Sequence, residues 1–279
     1  IFNQFDEFGN YLWHYDITAH AMEEVLSAVM GPKDRFAGLT SNTGSAGTIG
    51  SGDYLKQKFP NCKIVASEAL QCPTILNNGF GAHRIEGIGD KHIPWVHNVK
   101  NTDVVTAIDD NNMVQIARLF NEPAGREYLV KQGVPEKVVN QLDLMGLSGI
   151  ANMLSAIKFA KYYELGSKDV VMTVLTDSMD LYNTRIDEYR QQFGAFTIAE
   201  AAAAFARDLH GESTDNMQEL TYVDRKRVHN LKYYTWVEQQ GKTYDEIQAQ
   251  WYDDDYWTEL QSQLPEFDKL INQFNDAVG

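Results

Sequence analysis

The segment SNTGSAGTIGSG, residues 41–52, places small and hydroxylated residues between a short apolar run and a segment of helical character. A loop that leads from a strand into the first turn of a helix presents free backbone N–H groups and the positive end of the helix dipole, which favour an anion. Gly44 and Gly47 allow an anion to approach the backbone, and Thr48 adds a hydroxyl where the helix begins. The loop has neither the lysine of a nucleotide P-loop nor the Gly-x-Gly-x-x-Gly spacing of a dinucleotide site. The loop by itself therefore leaves two interpretations open, a phosphate site and a plain helix-capping turn.

Strands and helices are predicted to alternate on both sides of this loop. Apolar runs predict strands over residues 35–41, 62–69, 104–109 and 169–178. Apolar residues at helical spacing predict helices over residues 20–30, 49–59, 113–120 and 150–163. This alternation is typical of the α/β class, and it predicts a doubly wound, mostly parallel sheet with helices on both faces.

The composition of the sequence changes after about residue 182. Residues 183–279 contain eighteen acidic and nine basic residues, a net charge of −9, and they have helical periodicity without a convincing buried strand. We therefore expect two parts, an α/β domain over 1–182 and an acidic helical extension over 183–279. The consecutive carboxylates of YDDDYW, residues 252–257, favour a solvated turn over a metal site because neighbouring side chains point in different directions.

Composition limits the function further. The chain of 279 residues carries a formal charge of −15, which argues against a nucleic-acid partner because phosphate backbones require a basic surface. Two cysteines are too few for a disulfide framework, which favours a reducing cytoplasm, and no apolar run has the length of a membrane span. His83, His92 and His97 have no zinc-motif spacing, so we expect no metal site.

Five segments in sequence order resemble one known family. They are NQF at 3–5, GSAGT at 44–48, GAHRIEGIGDKHIPWV at 81–96, GLSGIANMLSAIKFAK at 146–161 and VLTDS at 174–178. Their order and character resemble the C-terminal part of the fold-type II pyridoxal-phosphate enzymes, most closely the cysteine synthase and cystathionine β-synthase group. The resemblance covers residues 1 to about 182 and implies that this region is the large domain of that fold, incomplete at its N-terminus.

The resemblance also implies roles for individual residues. The cup for the phosphate of pyridoxal 5'-phosphate would consist of Gly44, Ser45, Ala46, Gly47 and Thr48. Gln4 would contact the carboxylate of the substrate, and Ser178 would bond to the pyridine nitrogen. Asp177 is adjacent, but successive residues leaving a strand face opposite ways, which favours Ser178 alone.

The chain departs from the family pattern in two respects. Ala46 stands where the family has a glycine, which restricts the positive φ angles open to the loop. The family's Schiff-base lysine lies upstream of the Asn-Gln-Phe segment, which here begins at residue 3. We therefore expect no catalytic residue in this chain, and expect the lysine in an upstream half of the same protein or in a separate partner chain.

The resemblance implies a lyase or transferase that performs β-elimination or β-replacement on an amino acid, in the manner of cysteine synthase, and that forms a homodimer. Two alternatives remain open. One is an amino-acid dehydratase or ammonia-lyase of the same fold. The other is a non-catalytic or split subunit that needs a partner chain.

Overall fold

The computed structural model describes residues 2–279, and its centre is a five-stranded sheet in the order β4-β1-β2-β3-β5. The strands are β1 Arg35–Asn42, β2 Lys63–Ala69, β3 Val104–Ile108, β4 Asp169–Thr173 and β5 Met217–Glu219. The α-helices are α1 Phe8–Trp13, α2 Ala19–Val29, α3 Ser51–Lys58, α4 Thr74–Asn77, α5 Asp110–Asn121, α6 Pro123–Lys131, α7 Glu136–Val139, α8 Leu147–Tyr162, α9 Asn183–Phe193, α10 Ile198–Ala204, α11 Tyr222–Asn230, α12 Tyr244–Tyr252, α13 Tyr256–Gln261 and α14 Leu264–Val278. Short π-helical or 3-10 turns extend several of these, including Thr48–Gly50 directly before α3.

Strands β1 to β4 are parallel, which confirms the predicted sheet. β1 pairs with β2 in the register Gly38 to Lys63 and with β4 in the register Leu39 to Met172. The chain adds β2 and β3 on one side of β1 and then returns to place β4 on the other side. In open parallel sheets, a reversal of this kind leaves a crevice at the carboxyl ends of the two strands that flank it.

Apolar side chains fill both faces of the sheet. On one face, α5, α8, α9 and α10 enclose a cluster that includes Ile108, Ile116 and Leu154. On the other face, the helices α1 to α3 enclose a second cluster around Leu26 and Leu55. Both faces are therefore buried, as a doubly wound sheet requires.

The predicted helical character of residues 183–279 is confirmed, but this region also supplies β5. That short strand pairs antiparallel to β3, with Val104 opposite Glu219. Phe196 packs in the first apolar cluster, and Trp257 packs in the second. The boundary at residue 182 stays a prediction, and side chains from both of its sides share the same apolar clusters.

Strand β4 ends at Thr173, five residues before the predicted end. The side-chain amide of Asn152 donates a hydrogen bond to the carbonyl oxygen of Val174, 2.7 Å away. This carbonyl therefore bonds to a helix side chain at the point where the ladder of the sheet stops. Within residues 2–279, no helix combines the length and the apolar character that crossing a bilayer requires.

Glu68 is a buried carboxylate at the end of β2. Its two oxygens accept hydrogen bonds of 2.9 Å each from the backbone N–H groups of Ile75 and Leu76, in the first turn of α4. Burial outweighs these bonds and raises the pKa of Glu68 from 4.5 to about 7. Because the folded-state pKa exceeds the unfolded value, the ionised carboxylate costs stability at alkaline pH, and the folded protein takes up a proton as the pH falls toward 6.

We therefore expect the free energy of unfolding to gain about 1 kcal/mol from this group between about pH 8 and pH 6. In Glu68→Gln the gain should be absent, since no group titrates at that position. Urea unfolding of both proteins at the two pH values measures the difference. The same pH dependence in wild type and variant would show that the folded protein does not change the protonation state of Glu68 between pH 8 and pH 6.

Candidate functional site

A cavity of about 330 Å³ lies at the carboxyl ends of β1 and β4, where the strand order reverses. Four kinds of segment enclose it: the N-terminal segment before α1, the loops that follow β1 and β4, the stretch 87–89, and the first turns of α8. The lining residues are Gln4, Phe5, Ser41, Asn42, Gly44 to Thr48, Gly87 to Gly89, Ser148, Asn152, Val174, Thr176 and Asp177. The structure thus brings together Gln4, the whole loop 44–48 and the strand end 174–177. Among these residues there is no lysine or arginine.

Two asparagines fix the floor of the cavity. The Oδ1 atom of Asn152 accepts a hydrogen bond of 2.7 Å from the backbone N–H of Asn42, at the end of β1. The Nδ2 atom of Asn152 donates to the carbonyl oxygen of Val174 after β4. Asn42 in turn donates from its Nδ2 to the carbonyl oxygen of Ser148, 2.6 Å away, in the first turn of α8. Sequence reasoning missed both asparagines, because nothing in the local pattern distinguishes them from other polar residues.

The loop 44–48 presents a row of free donors. Among residues 2–279, no atom accepts a hydrogen bond from the backbone N–H groups of Gly44, Ser45, Ala46, Gly47 or Thr48. Gly47 is the N-cap of the following helical turn, and no side chain caps it. Consecutive unpaired N–H groups at a helix start form an anion-binding concavity.

Ala46 adopts a φ angle of 62°, in the left-handed region that favours glycine. The sequence had suggested that an alanine would restrict positive φ angles here, and the structure shows the alanine adopting one. This conformation costs about 1–2 kcal/mol for a residue with a Cβ atom. The methyl group of Ala46 is 3% exposed and belongs to the apolar cluster around α1 to α3, which offsets part of that cost.

Asn10 of α1 connects the loop to the N-terminal segment. Its Nδ2 atom donates to the carbonyl oxygen of Gln4 at 2.9 Å and to the Oγ atom of Ser45 at 3.1 Å. A Cβ atom on Gly47 would overlap the Asn10 side-chain amide, so the two residues meet at closest approach. Asn10 therefore positions the segment of Gln4 against the loop 44–48.

The segment after β4 places Asp177 rather than Ser178 on the cavity wall. Oδ2 of Asp177 accepts a hydrogen bond of 2.5 Å from the hydroxyl of Tyr182, while Oδ1 is buried without a partner among the described residues. The pKa of Tyr182 is raised, mainly by burial and to a smaller extent by this hydrogen bond. Ser178 is half-buried and is not one of the lining residues, so its contact with a pyridine ring stays a prediction.

The segment 81–96 reaches the cavity through its glycines. Gly87 and Gly89 have φ angles of 82° and 86°, and the N–H of Gly89 donates to the carbonyl oxygen of Thr43 at 3.3 Å. His83 packs over Gly89 outside the cavity. Within residues 2–279, no three His, Cys, Asp or Glu side chains converge on a point where a metal could bind.

Two known enzymes are similar in sequence to part of this chain. The cysteine synthase of Staphylococcus aureus is 28% identical over 170 residues, which cover 58% of this chain and 49% of that protein. The cystathionine beta-synthase of Dictyostelium discoideum is 31% identical over 190 residues, which cover 66% of this chain and 33% of that protein. The chain is a homologue of cysteine synthase and cystathionine β-synthase. No family model matches the chain.

Solved structures of this family agree with the fold. A hydrogen sulfide-producing enzyme from Fusobacterium nucleatum superposes with a TM-score of 0.51 and 28% identity over 66% of this chain and 49% of that one. The O-acetyl serine sulfhydrylase isoform 3 of Entamoeba histolytica gives a TM-score of 0.54 at 24% identity and supports the fold alone. The chain spans about half the length of the curated relatives that it matches first.

These families depend on pyridoxal phosphate, and the described residues fit the phosphate end of that cofactor. The loop that lines the cavity carries five unpaired backbone N–H groups and the hydroxyls of Ser45 and Thr48, donors that suit a phosphate dianion. The cavity volume of about 330 Å³ lies at the lower end of the range for small-molecule sites. The lining residues supply no amine for a covalent bond to the cofactor.

The contact between Gly47 and Asn10 gives a test of the loop geometry. Gly47 has a φ angle of −59°, which alanine adopts without strain, so Gly47→Ala should destabilise only through overlap with Asn10. We expect a loss of about 1–3 kcal/mol in the free energy of unfolding. In the Asn10→Ala background, which lacks the overlapping amide, Gly47→Ala should cost much less than in wild type, and a double-mutant cycle of urea unfolding measures this difference.

Gly9→Ala serves as the matched control, because an added Cβ atom on Gly9 has no neighbour within 4 Å. That variant should be neutral or slightly stabilised, since alanine favours the helix. Strict additivity between Gly47→Ala and Asn10→Ala would contradict the proposed contact.

Proposed function

We propose that this chain forms the cofactor-binding part of a pyridoxal-phosphate-dependent lyase or transferase that performs β-elimination or β-replacement on an amino acid. The row of five unpaired N–H groups over residues 44–48 carries the proposal, because it lies at the switch point of a sheet homologous to cysteine synthase. When bound, pyridoxal phosphate withdraws electrons from the α-carbon of an amino acid, which permits a leaving group to depart from the β-carbon.

The residues of the cavity have distinct roles in this proposal. The backbone of residues 44–48 donates hydrogen bonds to the phosphate dianion, assisted by the Ser45 and Thr48 hydroxyls. Gln4, whose side chain lies at the rim, binds the carboxylate of the amino acid through its amide. Because no cationic side chain lines the cavity, backbone dipoles must neutralise the charge of the phosphate. The loop 44–48 must therefore keep its conformation for the phosphate to bind.

The pyridine nitrogen is assigned to the strand end at 177–178. Ser178 is the predicted partner, and its neutral hydroxyl would leave the basicity of the ring nitrogen low. Asp177 is the residue that lines the cavity, and a carboxylate in contact with the nitrogen would hold a proton there. The two residues therefore imply different degrees of electron withdrawal by the ring.

Two alternatives remain from the sequence. A dehydratase or ammonia-lyase would use the same phosphate loop with a different leaving group. A non-catalytic or split subunit would need a partner chain that carries the lysine, whereas the leading proposal expects the lysine in an upstream half of the same protein. The described cavity contains no lysine, which fits both.

We also propose the cellular compartment and the oligomeric state of the protein. Cys62 and Cys72 are both buried and unpaired, which fits a reducing compartment such as the cytoplasm. Trp13 at the end of α1 and Ile17 in the turn that follows are apolar, and each exposes half or more of its surface area. Such exposure fits contact with a second copy of the chain in a homodimer.

A charge change at Ser45 tests the phosphate site. Ser45 is half-buried beside the free N–H groups, so Ser45→Asp should repel a phosphate dianion, whereas the matched Ser45→Asn keeps the size without the charge. We expect Ser45→Asp to weaken binding of pyridoxal phosphate roughly tenfold or more, and Ser45→Asn to change it little. Calorimetric titration measures both affinities.

Pyridoxal, which lacks the phosphate, is the control ligand. Wild type should prefer pyridoxal phosphate to pyridoxal, and Ser45→Asp should lose that preference. Equal affinities of wild type for the two ligands would refute the phosphate site.

The absence of a lysine from the cavity lining gives a second test of the proposal. Since no lysine lines the cavity, incubation with pyridoxal phosphate and reduction by borohydride should attach the cofactor to no single lysine in full yield. Peptide mass spectrometry of the reduced chain measures the occupancy at each lysine. One lysine modified stoichiometrically would show that this chain carries its own attachment site.

A further inference from the structure

The last helix, α14, carries an apolar stripe that the chain leaves exposed. Five apolar residues follow one another at intervals of three and four, which is the spacing of a coiled-coil seam. They are Leu264, Phe267, Ile271, Phe274 and Val278, and we call them the α14 seam. None of the fifteen residues of α14 is buried. A helix of this length is only marginally stable in water by itself, because helices in proteins gain most of their stability by packing an apolar face. We therefore expect a partner for the seam.

A groove of about 180 Å³ adjoins the α14 seam. It lies between the first half of α14 and the helical stretch 9–17, and its walls are mostly apolar. Trp13 and Ile17 lie on one wall, and Phe267 and Ile271 lie on the other. The groove is therefore a hole that suits a large apolar side chain.

A side chain that suits this hole lies on the same seam. Phe274 is 65% exposed, lies beyond the groove toward the C-terminus and does not line the groove of its own chain. In a two-fold symmetric interface the same patch lies on both sides, so a protruding ring and a hole on one face can fill each other reciprocally. When two copies of α14 lie antiparallel with the two-fold axis near Ile271, Phe274 of each copy comes opposite Phe267 and Ile271 of the other.

The charges on α14 also favour a second copy of this acidic chain. The formal charge is −15, so two copies meet most readily where there are few carboxylates. Among the positions that flank the seam, only Asp268 is charged, and the antiparallel arrangement sets it opposite Asn275 rather than another carboxylate. The other charged residues of α14 lie on its outer side, where Lys269 pairs with Glu266 at 3.2 Å.

The exposed apolar area is that of a dimer interface. The α14 seam, Trp13 and Ile17 together expose roughly 800 Å², about the area that each partner contributes to a stable interface. The largest apolar patch on a typical monomer measures only about 300–600 Å². A second copy of the chain would cover this surface on both sides of the contact.

We propose that the α14 seam and the adjoining groove form the two-fold contact of a homodimer, in which Phe274 of each copy occupies the groove of the other. The proposal names the contact surface of the homodimer proposed above and rests on that homodimer. The groove shares no lining residue with the cavity at β1 and β4, so a monomeric chain can still bind pyridoxal phosphate.

Sedimentation velocity of the full chain tests the proposal. Wild type should sediment as a dimer. Phe274→Asp places a carboxylate in both grooves of the dimer, so it should weaken dimerisation about a hundredfold or more. Phe274→Leu keeps the side chain apolar and should remain dimeric. Phe80→Asp is the matched control, since Phe80 is 72% exposed outside the seam and the substitution adds the same charge, and it should dimerise as wild type does.

Two cysteine variants test the antiparallel arrangement. Both native cysteines are buried, so oxidation reports on the introduced thiol. Ile271→Cys, beside the two-fold axis, should give a disulfide-linked dimer, and Lys269→Cys, on the outer side of α14, should not. Absence of a linked dimer from Ile271→Cys would overturn the antiparallel arrangement.

The sedimentation results separate this contact from the other proposals. A monomeric wild type, as expected if the seam instead receives the part that carries the lysine, would overturn both the contact and the homodimer. A dimer that persists in Phe274→Asp, or that Phe80→Asp weakens equally, would overturn the contact alone. Circular dichroism confirms that each variant is folded. Phe274→Asp should bind pyridoxal phosphate as wild type does, so calorimetric titration tests the cofactor site independently of the dimer.

Discussion

The side-chain amide of Asn152 joins the carboxyl ends of β1 and β4, and the position of the cavity depends on that bridge. Asn152 is 2% exposed, its oxygen accepts from Asn42, and its nitrogen donates to Val174. These two strand ends flank the reversal in strand order, so no crossover connection joins them directly. A buried amide with both of its groups paired is costly to break, because either strand would then leave an unsatisfied polar group. The crevice between β1 and β4 is consequently held at a fixed width.

The conformation of the loop 44–48 depends on this floor and on the contact with Asn10. Asn10 bonds to Ser45 and to the segment of Gln4, and it fills the space that the missing side chain of Gly47 leaves. Ala46 stays in a left-handed conformation because its methyl group is packed in the apolar cluster. Backbone strain of this kind persists only where surrounding contacts determine the conformation. The conformation of residues 44–48 is thus held by contacts within the chain.

Two buried lysines attach the C-terminal region to α8 and to the segment 95–97. Lys158 of α8 is 2% exposed and forms ion pairs of 2.8 Å with Glu212 and 2.7 Å with Asp215. Lys232 is fully buried and donates to the carbonyl oxygens of Trp95 and His97, at 2.8 Å each. Since removal of one member would leave a buried group unpaired, these contacts make the C-terminal helices part of the same cooperative structure.

The sequence by itself determined the order of strands and helices, the parallel sheet and the position of the glycine-containing loop 44–48 between β1 and α3. These features follow from local patterns, namely apolar periodicity and the small residues of the segment 41–52, and the five motifs identified the homologous family. The sequence did not reveal β5, because this three-residue strand, two residues half-buried and one exposed, carries no strand pattern. The choice between Asp177 and Ser178 on the cavity wall was also undetermined, because alternation in a strand does not continue past its end.

Only the tertiary structure decided which distant side chains meet. Asn10 contacts Ser45 across 35 residues, Asn152 contacts Asn42 across 110, and Lys232 contacts Trp95 across 137. Such pairs depend on how helices pack against the sheet, and packing is specified by the shape and volume of many side chains together rather than by any short pattern.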